Sequence, residues 1–176
     1  MHIIAGKYKK SRLASPIGTA MRPTRDQVKE SMFNIINSYC DGALVLDAFA
    51  GSGSLGLEAL SRGAKHVVFI DKCVSYIKQN ISWIEEKEAV SFLKTSAISY
   101  LKKTDLKFDL IFLDPPWEQP ELFDLTLKAI FDFDILNSNG VIVCEHKKKM
   151  IEFDTYNCIK QVTYGQKMIS LIKGNQ

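Results

Sequence analysis

Short apolar runs bounded by turn residues recur at 43–47, 66–70, 90–94, 108–113 and 141–145 of the 176-residue chain. Between them lie stretches whose apolar positions follow helical spacing, at about 54–62, 74–87, 97–103 and 120–131, the first closed by Gly63 as a C-cap. Near-continuous apolar runs alternating with amphipathic helices are the pattern of a parallel sheet buried on both faces. Ahead of this alternation, Thr24 followed by Gln27 three residues later is a capping-box signal. Val28, Met32, Ile35, Ile36 and Tyr39 then predict a helix to about Ser38. Behind it, segments 156–163 and 166–173 flank Gly165 without a helical period and read as a closing antiparallel pair. The first residues predict a small hairpin of two extended runs, His2–Tyr8 and Arg12–Ser15, joined through Lys9-Lys10-Ser11. The fold class expected is α/β: a doubly wound, mostly parallel seven-stranded sheet with helices on both faces and an antiparallel edge. Two units are expected, an N-terminal arm over 1–23 and the main domain over 24–176.

Composition narrows the class. A chain with 46% hydrophobic and 24% charged residues has enough apolar surface for one full core. No apolar run approaches the roughly 20 residues of a membrane span. The first residues lack the apolar core of a signal peptide, so a cytoplasmic protein without membrane partners is expected. Cys40, Cys73, Cys144 and Cys158 show neither paired nor metal-type spacing and read as reduced core or helix residues. His2, His66 and His146 have no acid or cysteine at ligand spacing, so no metal site is expected. Trp83 and Tyr76 read as packing groups.

The formal net charge of +3 is unevenly distributed. Residues 1–29 carry Lys7, Lys9, Lys10, Arg12, Arg22, Arg25 and Lys29 against Asp26 alone, a net +6 that leaves −3 for the rest. A basic arm on a mildly acidic domain is a candidate phosphate-contacting element.

Three candidate chemical features end consecutive parallel strands, the edge where open α/β sheets bind ligands. The first is Asp47 with the loop Gly51-x-Gly53-x-x-Gly56, whose small residues let backbone N–H groups approach a nucleotide-like ligand. Alone, these glycines fit a dinucleotide equally well. The second is Asp71, placed to accept both ribose hydroxyls of an adenosine-containing cofactor. The third is Asp114-Pro115-Pro116-Trp117. Its two prolines remove two backbone donors and leave a stiff turn presenting carbonyls. A carboxylate, a carbonyl and an aromatic plane on one turn form a receptor for a flat heterocycle bearing an amino group. In such a receptor Asp114 and the Pro115 carbonyl can accept the two amine hydrogens while Trp117 stacks on the ring.

Asp47-x-Phe49-x-Gly51-x-Gly53 together with Asp114-Pro115-Pro116-Trp117 resembles the S-adenosylmethionine-dependent amino-methyltransferases. Ile3-Ile4-Ala5-Gly6, Arg22-Pro23-Thr24 and the run from Asp47 to Gly63 resemble, within that class, the bacterial small-subunit 16S rRNA (guanine-N2)-methyltransferase family. The resemblance covers essentially the whole chain. Trp117 stands where that family usually has Phe or Tyr, and Ser96 where it often has an acid or amide. The resemblance implies a Rossmann-like class I methyltransferase, acting as a monomer on small-subunit rRNA in a partly or fully assembled subunit. It implies S-adenosylmethionine held by Asp47, Ala48, Phe49, Gly51, Gly53, Asp71, Lys72, Ser96, Ala97 and Asp114. It implies catalysis at Asp114, Pro115 and Trp117, and RNA contacts from Lys7, Lys9, Lys10, Arg12, Arg22, Thr24, Arg25 and Lys147. The alternative is a DNA adenine or cytosine amino-methyltransferase, which needs a target-recognition region for which only the N-terminal segment is available. An oxidoreductase leaves the Asp114 turn without a purpose, and so does a non-catalytic RNA-binding module.

Overall fold

In the computed structural model, residues 1–15, 23–116, 118–147 and 156–174 are described. Helix α1 spans Pro23–Ile36 and is followed by a 3₁₀ turn. The alternation then runs β1 Leu44–Asp47, α2 Ser54–Ser61, β2 His66–Asp71, α3 Ser75–Ile81 and β3 Val90–Lys94. It continues with α4 Ala97–Leu101, β4 Phe108–Leu113, α5 Pro120–Asp132, β5 Leu136–Lys147, β6 Asn157–Tyr164 and β7 Lys167–Lys173. The sheet order is β3-β2-β1-β4-β5-β7-β6, with β1 to β5 parallel and the β5–β7–β6 side antiparallel. This is the mostly parallel seven-stranded sheet that the alternation predicts. The strand order reverses beside β1, so its carboxyl end opens into a crevice.

Burial follows from the sequence patterns. Val45, Leu46, Val67, Phe69, Leu110, Ile111 and Ile142 are fully enclosed, as central parallel strands require. Two apolar clusters pack on opposite faces of the sheet. One includes Phe33, Phe69 and Phe112, and the other includes Phe108, Phe123 and Ile130. Among the described residues no helix is long and apolar enough to cross a membrane.

Several boundaries differ from the sequence expectation for identifiable reasons. The helix expected over 74–87 stops at Ile81. Ser82 Oγ donates to the Gln79 carbonyl, Lys87 Nζ donates to the Ile81 and Ser82 carbonyls, and the turned chain buries Ile84. Trp83 therefore leaves the helix and stays 37% exposed, edge-on to Tyr8 at 5.4 Å. Strand β5 starts five residues early because Leu136 already pairs with Phe108, and the strand accommodates a register shift before Val141. The Asn137-Ser138-Asn139-Gly140 stretch, turn-like by composition, lies inside this irregular strand. The hairpin expected over 2–15 has a single antiparallel bridge, His2 to Arg12, around a turn. The four cysteines are unpaired. Cys40 and Cys144 are buried, while Cys73 is exposed between β2 and α3.

The N-terminal segment is docked rather than trailing. Backbone N–H groups of Ile4 and Ala5 donate to the fully buried Glu58 carboxylate at 2.8 and 3.1 Å, and Tyr8 N–H donates to Ser61 Oγ at 2.9 Å. Gly6 sits so close to α2 that a Cβ there would lie 1.7 Å from the Ser61 carbonyl oxygen. Only glycine fits at that position.

Candidate active site

The loop after β1 is shaped by glycines with different duties. Gly51 and Gly53 both adopt left-handed φ, +54° and +77°, which other residues rarely take. A Cβ on Gly51 would meet nothing within 4 Å, so this turn opens onto free space. A Cβ on Gly56 would lie 2.4 Å from the Phe69 ring, so that glycine serves helix-on-strand packing. Three side chains fix the loop's backbone. Asp71 Oδ2 accepts the Gly51 N–H at 2.8 Å, Asp47 Oδ2 accepts the Gly56 N–H at 3.0 Å, and Asn80 Nδ2 donates to the Ser52 carbonyl at 2.8 Å.

A cleft of about 900 Å³ opens along the carboxyl ends of the strands. It brings together Asp47, Ala48, Phe49, Gly51, Asp71, Lys72, Ser96, Ala97, Asp114 and Pro115, each singled out by the sequence. The acids in it differ in environment. Asp47 is 3% exposed, and burial pushes its carboxyl up to about 7; the nearby Asp71 charge adds to the rise and the Gly56 N–H opposes it. Its position marks it as a bracket for the loop as much as a ligand group. Asp71 is half-buried and also accepts the Cys73 N–H at 2.8 Å, so the carboxylate is held in place at the cleft rim. Ser96 caps α4 by accepting the Ser99 N–H at 3.2 Å, which orients its hydroxyl in the wall. Gly53 is the N-cap of α2 and is buried beside Phe69.

At the opposite end, β4 delivers Asp114 and Pro115 to the same cleft. The Pro116 carbonyl accepts the Gln119 N–H at 3.0 Å, which turns the chain into α5 at Pro120. The turn is rigid because both prolines fix φ and both ends are anchored in regular structure. Trp117 and Arg22 lie outside the described residues, and Thr24 and Arg25 open α1 with side chains also outside them. Lys9, Lys10 and Arg12 are exposed on the N-terminal turn, whereas Lys7 pairs with Glu86. Lys147 is exposed at the end of β5.

The sequence reading missed four residues that the structure places in or behind the cleft. Lys29 lies on its wall, 5% exposed. Its ammonium donates to the His2 carbonyl at 2.6 Å and to Ser54 Oγ at 3.3 Å, and pairs with Glu58 at 3.3 Å. Burial lowers its pKa, against the pull of Glu58. Asn80 is 1% exposed and joins the Ser52 carbonyl to both backbone groups of Ala14, at 2.7 and 2.8 Å. Glu145 and Lys167 line the far wall. A signal existed for two of them. Asn80 interrupts the apolar stripe of Ile77, Ile81 and Ile84, and Glu145 ends the run Val141-Ile142-Val143-Cys144 much as Asp47 ends β1.

The arrangement fits S-adenosylmethionine. The open turn at Gly51 gives backbone access, the fixed Asp71 carboxylate suits a ribose diol, and Phe49, Ala97 and Ile98 supply apolar wall. Asp26, Asp71, Asp114, Glu118 and Glu145 outnumber Lys29, Lys72 and Lys167 on its walls even without the buried Asp47, a lining suited to a cationic ligand.

Comparison with known proteins agrees with this architecture. The family described as conserved hypothetical protein 95 matches residues 1–173. The chain is 37% identical over 182 residues to the Bacillus subtilis (strain 168) protein named "Putative rRNA methyltransferase YlbH", covering 98% of each chain. It is 35% identical over 173 residues to "Ribosomal RNA small subunit methyltransferase D" of Haemophilus influenzae, covering 94% of this chain and 89% of that one. Among solved structures, the Escherichia coli protein named "Putative methyltransferase yhhF" superposes with a TM-score of 0.87 at 27% identity, over 100% of this chain and 99% of that chain.

Proposed function

The chain belongs to the conserved hypothetical protein 95 family, and we propose that it methylates the exocyclic N2 of a guanine in small-subunit ribosomal RNA. S-adenosylmethionine is the methyl donor; the chemistry it supplies is a methyl group already activated on a sulfonium, which requires no metal or covalent nucleophile. The observation that carries the reading is one cleft joining the Gly51 loop and Asp71 to the Asp114-Pro115-Pro116 turn.

The task left to the protein is to activate and align the acceptor. A guanine N2 lone pair is delocalised into the ring and attacks poorly. Asp114 and the Pro115 carbonyl accept the two N2–H hydrogens, favour a tetrahedral nitrogen and stabilise the positive charge that develops on it. Because the turn is stiff and stands on the end of a buried strand, those acceptors need no reorganisation during transfer. Asp71 holds the ribose hydroxyls, and the Gly51 turn lets the backbone approach. A stacked or paired base cannot enter such a cleft, so the target is unpaired or flipped out. Lys9, Lys10 and Arg12, exposed on a segment docked beside the cofactor loop, hold flanking phosphates.

The test uses purified protein, methyl-labelled S-adenosylmethionine, and small-subunit rRNA or particles isolated without the modification. Labelled N2-methylguanosine is the expected product. Asp114→Ala retains cofactor binding and loses roughly 10²–10³ in transfer rate. Label in DNA adenine, or unchanged turnover of the Asp114 variant, overturns the proposal.

A further inference from the structure

The cleft contains one charged pair that the reaction as derived does not use. Glu145 lies near the end of β5 and Lys167 opens β7, and Lys167 Nζ donates to Glu145 Oε1. Both line the cleft shared with Asp114 and Pro115. The Glu145 side chain is 14% exposed and that of Lys167 29%, so both are sheltered yet reachable. A partly exposed pair adds little to the pairing of β5 with β7, which is already continuous from Val141 to Lys147.

Its placement is informative. Leu113 of β4 pairs with Cys144 of β5, so Asp114 and Glu145 occupy the next positions of two adjacent parallel strands, which run about 4.8 Å apart. β7 is the next strand beyond β5. Lys167 stands opposite Lys147, two residues before Ile169, the β7 partner of Glu145, and reaches back diagonally to the Glu145 carboxylate. The three side chains thus follow one another across neighbouring strands: acceptor, acceptor, donor. The Watson–Crick edge of guanine presents N2–H, N1–H and O6 in a row: donor, donor, acceptor. Adenine with its amine at Asp114 presents the N1 lone pair at the second place, and cytosine presents the N3 lone pair there. Either would face the Glu145 carboxylate with no hydrogen to give it.

We propose that Glu145 and Lys167 are the base-selecting residues of the cleft, Glu145 accepting the guanine N1–H and Lys167 donating to O6 while N2 sits at Asp114 and Pro115. This rests on the guanine reading above and extends it to the residues that exclude the other amino-bearing bases. Strand-borne groups suit such a task, since strands hold a side chain more firmly than loops do.

The experiment compares guanine with 2-aminopurine at the mapped target position of small-subunit rRNA, built by ligation and assembled into particles. 2-Aminopurine keeps the N2 amine, has a bare N1 and lacks O6. The wild type prefers guanine. Glu145→Gln lowers kcat/KM on guanine by about 10–100-fold, the usual discrimination of one good base contact. The same substitution narrows or reverses the gap to 2-aminopurine, because the carboxamide can donate to the bare N1. Lys167→Met weakens guanine transfer and spares 2-aminopurine. Cofactor affinity, measured by equilibrium dialysis, is unchanged in both variants and reports an intact fold. If the wild type makes N2-methylguanosine but Glu145→Gln keeps full activity, or loses both bases alike, this inference fails and the guanine reading stands. If the wild type labels another atom or base, the guanine reading itself fails.

Discussion

Asp47→Asn removes a pH dependence of stability that burial of one carboxyl imposes on the fold. Asp47 ends β1 at 3% exposure, and burial raises its carboxyl from the ordinary 3.8 to about 7. In the unfolded chain the group ionises above pH 3.8, whereas in the fold it keeps its proton to about pH 7. Between those values the unfolded state binds fewer protons, so stability falls as pH rises and levels off above about 7. A rise of about 3 units at 1.36 kcal/mol each gives about 4 kcal/mol as the full loss. Roughly 2–3 kcal/mol of it falls between pH 5 and 8. Asparagine keeps an oxygen for the Gly56 N–H and cannot ionise. Its own cost, an extra amide N–H₂ in a buried site, is independent of pH and cancels in the comparison. The assay is urea unfolding at pH 5, 6, 7 and 8 at constant ionic strength. Relative to wild type, the Asn variant gains about 2–3 kcal/mol across that range. Parallel curves, or a wild type that gains on the variant as pH rises, would falsify the assignment, for they would mean that Asp47 is ionised inside the fold.

Two further outcomes follow from the docking of the N-terminal segment. Asn80→Ala strands the Ser52 carbonyl and both backbone groups of Ala14, and loses about 2–4 kcal/mol of stability together with roughly tenfold in cofactor affinity. If dialysis shows unchanged cofactor affinity while urea unfolding shows the loss, Asn80 anchors the segment alone and not the loop. Replacing Lys9, Lys10 and Arg12 together by Gln weakens RNA binding and reduces the slope of log K against log salt by about 2, near 0.7 per single-strand phosphate contact. A slope identical to wild type in filter binding across a salt series removes these three residues from the RNA interface.

Much of the fold was legible because its signals are local. An apolar run, an acid, and closely spaced glycines before a helical stripe specify β1, the loop and α2 within a window of about twenty residues. Repetition of strand and helix then fixes Asp71 and Asp114 on the same edge. Contacts between distant segments leave no such trace. Nothing in the sequence around Ala14 announces that Asn80 will clasp it, and nothing around Ile4 points to Glu58. By sequence, strand β5 reads five residues short because Asn137-Ser138-Asn139-Gly140 resembles a turn, whereas pairing of Leu136 with Phe108 draws those residues into the sheet. By sequence, Trp83 reads as a packing group within a longer helix; it does pack, edge-on against Tyr8, but the early stop at Ile81 places that contact outside the helix and at the surface.

The charge of the N-terminal segment changes meaning once these contacts are counted. By sequence, residues 1–29 form one basic arm. In the fold, Lys29 is enclosed against Glu58 beneath the start of α2, and Lys7 pairs with Glu86. The exposed basic side chains outside an ion pair within the described part of that segment are therefore Lys9, Lys10 and Arg12, carried on and directly after a single turn. Glu58 accepts the backbone of Ile4 and Ala5 and pairs with both Lys29 and Arg62, so the ends of this basic turn hang from α2, the helix whose first turn closes the cofactor loop. Asn80 ties the far end of the segment to Ser52 of the same loop. The segment is thus attached twice, to α2 through Glu58 and to the loop through Asn80. If the turn grips RNA as proposed, these two attachments would hold the RNA in register with the methyl donor, and any coupling between the two ligands would be reciprocal.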